Sequence, residues 1–487
     1  MRQYPGMSLR DELLAACGPD GLVDDPGGRS AYSYEAALPS HTGWPDFVVL
    51  PRTTDQVVAV VKAAAKHGAP IVPRGSGTGL VGGSLPTRGG ITVALTRMNR
   101  ILRIDRPNRF AVVQPGVINL DLSSATRPYG FFYAPDPSSQ KISTVGGNVA
   151  CNAGGPHCLE YGTTTNHVLG MTFVLPDGGV VQSGIAPDEP GFDLTAIMTG
   201  SEGTLGIVTE ITVRLTPVPE AARVALAAFD SIAAASETVS AIIGHGIVPA
   251  ALEMMDRRAT EAVEAAFHVG YPVGSDAVLL IEMDGLKDAV EERLAAVVRT
   301  CHEHGALSVR EARSQAERDG LWAGRKGAAA AMGRIAPNFY VQDCVVPRTR
   351  FPQAVTRVDA ICAHHKIRVA TVLHAGDGNL HPSLCFDRRD QDEVRRVMTA
   401  GTEILKACVD LGGTVSGEHG IGLEKRNALD LIFSPDDLAA MAKLKGCFNP
   451  SLLFNPDKIF PSSRRCAELL ELAAGGTRAA MEAGAWV

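Results

Sequence analysis

The chain has 487 residues, 45% of them hydrophobic, and a formal net charge of −7. This length exceeds what a single core can hold, so about two or three domains are expected. The acidic balance argues against a nucleic-acid binder. No apolar run approaches the roughly 18 residues of a membrane span, and the N-terminus lacks the apolar core of a signal peptide. The 10 cysteines are scattered without a Cys-x-x-Cys pair, which favours a cytoplasmic protein and no iron–sulfur cluster in this chain.

After an N-terminal segment (1–45), strands and helices alternate. A helix is predicted from Asp55 to His67, capped by Thr53 or Thr54 and ended by Gly68. Short strands are predicted at 48–50, 71–73, 91–95, 101–104 and 110–114. This pattern indicates a mixed α/β domain over residues 46–218.

The loop at 74–83 fits the dinucleotide-binding pattern G-x-G-x-x-G, but its surroundings do not. That pattern requires a helix directly after the glycines and an acidic residue after the next strand. Here Gly83 and Pro86 forbid the helix, and the strand at 91–95 is followed by Thr96. A Rossmann site is therefore rejected, which leaves either a plain glycine turn or a different kind of phosphate loop.

Two more small-residue stretches, 143–155 and 200–208, lie in the same domain. Loops without side chains let backbone N–H groups approach a pyrophosphate closely. Three such loops are hard to explain as turns, and a long ligand threaded along the backbone would explain them. FAD fits better than ATP, because no Gly-Lys-Ser/Thr signature is present to bind a triphosphate.

The pattern changes after Pro217-Val-Pro219. Strands are predicted at 224–229, 250–255, 278–283 and 307–310, with helices at 231–243 and 288–304. This order resembles a ferredoxin-like layer, with helices on one face of an antiparallel sheet. We expect a substrate or cap domain at 219–425, then a helical C-terminal segment at 426–461 that loops back, and an alanine-rich tail at 462–487.

The most informative motif of the cap domain is His374-Ala-Gly-Asp-Gly-Asn-Leu-His381. An apolar strand precedes a glycine turn, so the turn can fold the two histidines toward each other. Glu418, in Ser416-Gly-Glu-His-Gly420, could complete a two-histidine, one-carboxylate metal set with open positions for substrate. His419 would lie beside it as a neutral base. The alternative is that these histidines are simply solvated residues beside a turn.

In this order, the loops resemble the FAD domain of the vanillyl-alcohol-oxidase and p-cresol-methylhydroxylase superfamily. The resemblance rests on Pro73-Arg-Gly-Ser-Gly-Thr-Gly79, Pro135-Asp-Pro137, Gly146-Gly-Asn148, Asn152-Ala-Gly-Gly155 and Gly200-Ser-Glu-Gly-Thr-Leu-Gly206. The histidine motifs and Phe454-Asn-Pro-Asp-Lys458 narrow it to FAD-linked 2-hydroxy-acid dehydrogenases. The implied fold is α+β: an FAD-binding domain of two α/β subdomains, a ferredoxin-like cap, and a C-terminal helical segment that returns to the FAD domain.

Further stretches are similar to the FAD subunits of bacterial glycolate oxidases, namely Gly324-Arg-Lys-Gly327, Gly333-Arg-Ile-Ala-Pro337, Tyr340-Val-Gln-Asp343 and Arg465-Cys-Ala-Glu468. That resemblance implies a second FAD-domain subunit and an iron–sulfur subunit as partners, with electrons passing to quinone or another acceptor. Any association with the inner membrane would come through those partners.

The resemblance assigns FAD contacts to Pro73, Arg74, Gly75, Ser76, Gly77, Thr78, Gly79, Pro135, Gly146, Gly147, Asn148, Asn152, Gly155, Gly203, Ile207 and Asn455. Some superfamily members attach flavin to a histidine in the first loop. This loop offers only Ser76 and Thr78, so we expect non-covalent FAD. The 2-hydroxyglutarate enzymes carry a lysine and an asparagine where this chain has Val341 and Ser383, which favours a small monoacid substrate.

The implied reaction oxidises a 2-hydroxy acid to a 2-oxo acid, with hydride passing to the flavin. A Zn²⁺ or Mn²⁺ ion on His374, His381 and Glu418 would lower the pKa of the substrate hydroxyl, and His419 would accept its proton. An ordinary imidazole pKa of about 6.5 suits that role. Arg325 would clamp the substrate carboxylate, although its local sequence alone favours a surface salt bridge.

Glycolate is the expected substrate, and three alternatives stay open. A stand-alone D-lactate dehydrogenase would carry the same residues, with a D-2-hydroxyglutarate enzyme as the less favoured variant. An FAD subunit that only relays electrons would have no need of the histidines and Arg325. A metallohydrolase would leave the three glycine loops unexplained.

Overall fold

The computed structural model describes residues 7–36, 42–184 and 192–462, together with 470–472 and 475. The motif at 465–468, most of the tail at 462–487 and the first six residues of the N-terminal segment lie outside the described residues.

The first subdomain is a four-stranded sheet in the order β1-β2-β4-β3, in which β2, β4 and β3 are parallel. Its strands are β1 (Leu22–Val23), β2 (Phe47–Val49), β3 (Ile71–Arg74) and β4 (Ile91–Ala94), and its helices are α1 (Leu9–Cys17), α2 (Pro26–Ser30) and α3 (Thr54–His67). The Thr53 hydroxyl caps α3 by accepting the Gln56 N–H, and Gly68 ends it in the left-handed conformation. This helix was predicted almost residue for residue.

The second subdomain is a five-stranded antiparallel sheet in the order β5-β6-β10-β8-β9. Its strands are β5 (Ile101–Asp105), β6 (Phe110–Val113), β8 (Val168–Val174), β9 (Val180–Ser183) and β10 (Ile207–Arg214), while β7 (Phe131–Phe132) pairs with β11 (Thr216–Pro217) outside this sheet. The helices are α4 (Asn119–Thr126), α5 (Val145–Cys151), α6 (Cys158–Tyr161) and α7 (Leu194–Met198). Two sheets in this half confirm the expected pair of α/β subdomains.

The cap domain is one antiparallel sheet in the order β15-β12-β14-β13-β18-β19-β16, with β17 also paired to β19. The strands are β12 (Ala221–Phe229), β13 (Ala251–Asp256), β14 (Ala277–Gly285), β15 (Ser308–Glu311), β16 (Asn338–Val341), β17 (Cys344–Val345), β18 (Arg368–His374) and β19 (Asn379–Phe386). The helices are α8 (Ile232–Gly244), α9 (Arg257–Phe267), α10 (Lys287–Glu303), α11 (Gln315–Lys326), α12 (Ala328–Ala331), α13 (Phe351–His364) and α14 (Gln391–Asp410).

Helices cover both faces of the cap sheet. Helices α8, α10, α13 and α14 pack on one face and form the larger core. Helices α9, α11 and α12 pack on the other, with Val263 and Trp322 among the side chains they bury. Strands buried on two faces read as continuous apolar runs rather than alternating, as the first five residues of β14 do. The expectation of helices on one face was therefore incomplete, and the second helical layer supplies Arg325.

The C-terminal segment consists of α15 (Pro435–Phe448) and a return to the first subdomain. The Ile71 N–H donates to the Leu453 carbonyl at 2.9 Å, and the Asn455 N–H donates to the Ile71 carbonyl at 2.7 Å. The segment thus extends the edge of β3 next to the first glycine loop, as predicted. Within the described residues, no helix combines the length and apolar character that a membrane span requires.

Candidate active site

The hairpin of β18 and β19 places both predicted histidines on one face of the cap sheet. His374 lies opposite Asn379, and Val372 lies opposite His381, so the two histidines are diagonal neighbours. Side chains that are opposite or diagonal across antiparallel strands share a face. Both histidines are buried, so the alternative of solvated residues beside a turn is wrong.

Glu418 lies between the two imidazoles. Its Oε1 atom is 3.2 Å from His374 Nε2 and 3.2 Å from His381 Nε2. One possible ligand atom from each residue lies within 4.8 Å of the others. Two imidazole nitrogens and a carboxylate oxygen form a donor set suited to Zn²⁺ or another divalent transition metal.

The Nδ1 atoms of both histidines already have polar partners within the protein. His374 Nδ1 lies 2.8 Å from Glu253 Oε1, and His381 Nδ1 lies 3.3 Å from the Gln342 carbonyl oxygen. Such contacts fix the ring orientation and direct both Nε2 atoms toward Glu418, where a metal would displace any proton that they carry. Among the residues described, His381 Nε2 is buried and forms no hydrogen bond of good geometry, although Glu418 Oε1 lies 3.2 Å away. A cation between Nε2 and Glu418 would satisfy that atom, so the residues present fit a divalent ion.

The charges of this set depend on one another. Burial lowers the pKa of His374, but the carboxylates of Glu253 and Glu418 outweigh burial and raise it to about 10. Burial raises the pKa of Glu418, whereas the nearby His374 and His381 hold it well below its usual range. Glu418 is therefore an anion at neutral pH, as a metal ligand must be.

His419 stacks on His381, with ring centroids 4.9 Å apart, and its Nε2 lies 3.9 Å from Glu418 Oε1. Burial lowers the pKa of the His419 imidazole to about 4. The imidazole is thus neutral at pH 7 and able to accept a proton, although the expected pKa near 6.5 was too high. The cause is burial of the ring, which disfavours its charged form.

Arg325, in the last turn of α11, is 4% exposed and forms an ion pair with Glu253. The surface position favoured by its local sequence is therefore wrong. In the part of the chain that the structure describes, Arg325 Nε is buried and has no hydrogen-bond partner. Glu253 thus touches both His374 and Arg325, and the guanidinium keeps a donor free near the metal set.

The three glycine loops converge in space. A Cβ atom on Gly75 would lie 2.5 Å from Thr144 Oγ1, and one on Gly203 would lie 2.8 Å from Pro73 Cγ. The Gly200 N–H donates to the Val149 carbonyl at 2.8 Å. Contacts this close leave no space for a Cβ atom at Gly75 or Gly203, which accounts for the glycines there.

The residues predicted to bind FAD lie on several elements around the point where the three loops meet. Gly146, Gly147 and Asn148 lie in the first turn of α5, where their N–H groups donate to the Pro115 carbonyl, to Thr144 Oγ1 and to the Thr144 carbonyl. The remaining residues lie at the end of β3 and in the loop after it, beside α5, or at the start of β10, and they are Pro73, Arg74, Gly75, Ser76, Gly77, Thr78, Gly79, Pro135, Asn152, Gly155, Gly203 and Ile207.

Not every one of these side chains faces a ligand. Arg74 donates to the Tyr34 carbonyl and to Ser84 Oγ, and Ile207 packs in the core, so they could meet a cofactor only through their backbone. Asn455 Nδ2 donates to the Glu202 carbonyl at 2.6 Å and to the Gly83 carbonyl at 2.8 Å. Asn148 Nδ2 is buried with no hydrogen-bond partner among the described residues. The small-residue cradle and this free donor fit a polar, elongated cofactor such as FAD.

The glycine loops and the metal set adjoin each other. A Cβ atom on Gly154 would lie 2.5 Å from Glu418 Oε2. The Glu202 carboxylate of the third loop accepts the N–H groups of Ile421 at 2.7 Å and Gly422 at 2.8 Å. A ligand in the glycine loops would therefore lie beside Glu418, because the two sets of residues are in contact.

Several residues that support this site were not predicted from the sequence. Glu253 holds His374 and Arg325, Glu202 holds the loop after His419, and Lys425 pairs with Asp343 in complete burial. One signal was available, since Glu253 is an acid inside the apolar run 250–255. A charged residue in a buried strand must be paired, so such a residue indicates a buried partner.

A second cluster of buried charges joins the FAD domain to the cap domain. His157 Nδ1 lies 2.8 Å from Asp136 Oδ2, and His157 Nε2 lies 3.5 Å from Glu282 Oε1. Lys326 Nζ lies 2.9 Å from Asp136 Oδ2. Burial lowers the pKa of His157, but Asp136 and Glu282 outweigh it and raise that pKa to about 10. His157 is therefore an imidazolium at neutral pH, bound on both sides by carboxylates.

Two family models match the chain. Residues 45–184 match the "FAD binding domain", and residues 218–459 match "FAD linked oxidases, C-terminal domain". Glycolate oxidase subunit GlcD of Bacillus subtilis (strain 168) is 42% identical over 459 residues, covering 94% of this chain and 97% of that relative. A D-lactate dehydrogenase of Anaerostipes hadrus is 34% identical and covers 85% of this chain and 89% of its own length.

Among solved structures, p-cresol methylhydroxylase with bound substrate resembles this chain with a TM-score of 0.76. The match covers 93% of this chain and 96% of that one at 17% sequence identity. At that identity the likeness concerns the fold, and it confirms the predicted p-cresol-methylhydroxylase type of FAD domain.

Proposed function

The chain belongs to the family of FAD-linked oxidases, and we propose that it oxidises a small 2-hydroxy acid, with glycolate converted to glyoxylate as the preferred reaction. One observation carries the proposal. The second glycine loop touches Glu418, because a Cβ on Gly154 would lie 2.5 Å from Glu418 Oε2. The loops that would hold FAD are in contact with a proposed metal ligand. This arrangement suits an oxidation in which the flavin and a metal ion act on the same substrate.

FAD, held without a covalent bond by the glycine loops, supplies the acceptor for the hydride when bound. A divalent ion, Zn²⁺ or Mn²⁺, held by His374, His381 and Glu418 would lower the pKa of the substrate hydroxyl. The remaining work falls to side chains of the chain itself.

His419 accepts the hydroxyl proton. The imidazole is neutral because burial lowers its pKa to about 4. Stacking on His381 places the ring against the metal set. Hydride and proton thus leave the substrate to different acceptors, and the product is the 2-oxo acid.

Arg325 binds the substrate carboxylate. A guanidinium offers a planar pair of donors that matches a carboxylate, which fixes the hydrogen that faces the flavin. The free Nε and the location at the end of α11, next to Glu253, support this role. Glu253 keeps the guanidinium close to the metal set.

A small monoacid suits the wall beside His381. Val341 and Ser383 are directly paired across β16 and β19. These are the two positions at which the resemblance to 2-hydroxyglutarate enzymes would require a lysine and an asparagine. With an apolar and a short side chain there, a second substrate carboxylate has no cationic partner from these two positions.

A second candidate is D-lactate oxidation to pyruvate, which the D-lactate dehydrogenase relative favours. An anaerobic visible titration with glycolate, D-lactate and D-2-hydroxyglutarate tests both. We expect glycolate to bleach the flavin band at the lowest concentration. Bleaching by D-lactate alone would establish the second candidate, and bleaching by neither acid in the metal-loaded protein would contradict the proposal.

Partners are proposed from the relative named as a glycolate oxidase subunit. A second FAD-domain subunit and an iron–sulfur subunit would take electrons from the flavin and pass them to quinone or another acceptor. The location that follows is cytoplasmic, with attachment to the inner membrane only through those subunits. Co-purification with each partner, followed by quinone reduction assays, would test this assembly.

A further inference from the structure

Asp343 is a completely buried carboxylate between β16 and β17. Strand β17 is also bridged to Thr414, because the Thr414 N–H donates to the Val345 carbonyl at 3.0 Å. The chain therefore runs past Asp343 just before the loop that carries Glu418 and His419. This placement brings the carboxylate beneath that loop.

One oxygen of Asp343 holds the whole loop. Oδ2 accepts the Ser416 hydroxyl at 2.9 Å and the backbone N–H groups of Gly417 at 3.0 Å, Glu418 at 3.2 Å and His419 at 2.9 Å. Lys425 Nζ lies 3.1 Å from the same oxygen and is also fully buried. Successive N–H groups directed at one point form a nest that favours an anion.

Glu418 and His419 are consecutive residues with different proposed roles, one as metal ligand and one as base. Their side chains can hold two fixed positions only if the backbone between them is fixed. Asp343 binds the N–H of both residues. Glu202 holds the far end of the loop through Ile421 and Gly422, so the loop is fixed beneath and behind the reacting groups.

We infer that Asp343 is a positioning residue that sets Glu418 as metal ligand and His419 as base, with Lys425 as its buried counter-ion. The inference rests on the proposed function, because it gives a purpose to the loop that the function uses. Asp343 acts through the loop backbone and does not touch substrate.

A second possible metal set also exists, because the potential ligand atoms of Asp343, His381 and His419 lie within 4.8 Å of one another. The charge next to Asp343 argues against that interpretation. The ammonium of Lys425 already balances the carboxylate, and a divalent cation close to it would be repelled. Oδ2 is occupied by loop donors, which leaves only Oδ1 for an ion. The contacts therefore favour a role for Asp343 in fixing the loop over a role as a metal ligand.

The test is a Co²⁺ titration of the metal-depleted, FAD-loaded protein, with the visible cobalt spectrum as a probe of the ligands. The variant is Asp343→Asn combined with Lys425→Met, since removing both charges avoids an unpaired buried ion. We expect one Co²⁺ per chain, bound roughly 10–100-fold more weakly than in the wild type, with an altered spectrum and FAD retained. Asp343→Glu keeps the charge and is expected to shift the spectrum in the same direction, which decides the question if the double variant does not fold.

Asp256→Asn is the matched control, because Asp256 is a partly buried carboxylate of the same sheet that accepts the N–H groups of Ala259 and Thr371. It is expected to bind Co²⁺ as the wild type does. Unchanged affinity and spectrum in the Asp343 variants would overturn the inference, as would a second Co²⁺ in the wild type that they lose. If His381→Ala leaves the wild-type cobalt spectrum intact, the proposed metal site itself is wrong, independently of Asp343.

Discussion

The glycine loops and the cap-domain site are built on opposite principles. The loops contact one another through backbone, as at Gly200 and Val149, and carry few side chains that could react. The cap-domain site consists of side chains, and a buried carboxylate supports each half of it from behind. Glu253 holds His374 and Arg325, while Asp343 holds the loop of Glu418 and His419.

This difference predicts which kind of substitution should impair the glycine loops and which should impair the cap-domain site. A loop that works through close backbone approach is damaged by any added atom. A site that works through side chains is damaged by the loss of one group, even when its neighbours remain in place. The two halves meet at Gly154 and Glu418, so damage to one can be measured while the other serves as an internal control.

The largest effect is expected from His381→Ala. The ligand set loses one of its two imidazoles, so the protein should lose its ion, and flavin reduction by glycolate should slow roughly a thousandfold, about 4 kcal/mol of barrier. FAD should stay bound, because the glycine loops are untouched. Metal analysis and stopped-flow flavin reduction measure the two quantities. His365→Ala, at a histidine paired with Glu403 away from the site, is the control. Normal turnover by the His381→Ala variant would show that His381 is not a metal ligand.

His419→Ala separates the base from the ligands. The variant should keep both FAD and the ion, yet reduce its flavin about 100-fold or more slowly, because the hydroxyl proton loses its acceptor. Comparison of metal content with that of His381→Ala distinguishes the two roles. Reduction at the wild-type rate would show that another group takes the proton.

Gly75→Ala tests the glycine loops. An added Cβ would lie 2.5 Å from Thr144 Oγ1, so the first and second loops must separate. Overpacking typically costs about 1–3 kcal/mol, which corresponds to a roughly 5- to 150-fold loss of FAD affinity if the cost falls on the cofactor-bound state. Metal affinity should not change. Gly244→Ala, at a glycine with no atom within 4 Å of its Cβ position, is the matched control in an FAD titration. Equal FAD affinity in all three proteins would contradict the close-approach explanation.

The smallest effect on activity is expected at the contact between the two domains, where the change is in stability. The pKa of His157 is raised from 6.5 to about 10, so its contribution to stability is fully present below pH 6.5 and is lost as pH rises through 10. His157→Gln should lower stability by roughly 3 kcal/mol at neutral pH, the usual cost of breaking a buried ion pair. The difference in melting midpoint between wild type and variant should therefore shrink from about pH 6 to about pH 10. If the difference in melting midpoint instead grows between pH 6 and pH 10, His157 is not an imidazolium that stabilises the fold at neutral pH.

Much of the fold could be predicted because local signals and the architecture agree. The helix at Thr54–His67 has a threonine cap, a spaced apolar face and a terminal glycine. Helices α9 and α11 were missed, although Asp256 and Ser314 cap them. They follow short loops or polar stretches, and the apolar face of each is defined only by the sheet on which it packs. The helical layer on the second face of the cap sheet therefore depends on tertiary packing and could not be predicted from local sequence signals.

The site could be predicted in part for a similar reason. His374 and His381 flank one turn, so their proximity is local. The three glycine loops are visible as loops because their composition is unusual. Glu253 and Asp343 are far from His374 and Glu418 in sequence, and only strand pairing brings them into contact. A carboxylate that supports a site from behind has no local signature beyond being an acid in an apolar surrounding.

The central claim is that the glycine loops and the cap-domain side chains form one site from two separable halves. It is tested most directly by the rate of anaerobic flavin reduction by glycolate in FAD-loaded protein, before and after metal removal and after Zn²⁺ or Mn²⁺ is restored. We expect FAD to remain bound throughout, reduction to stop without the ion and to return with it. Reduction at an undiminished rate in metal-free protein would contradict the claim.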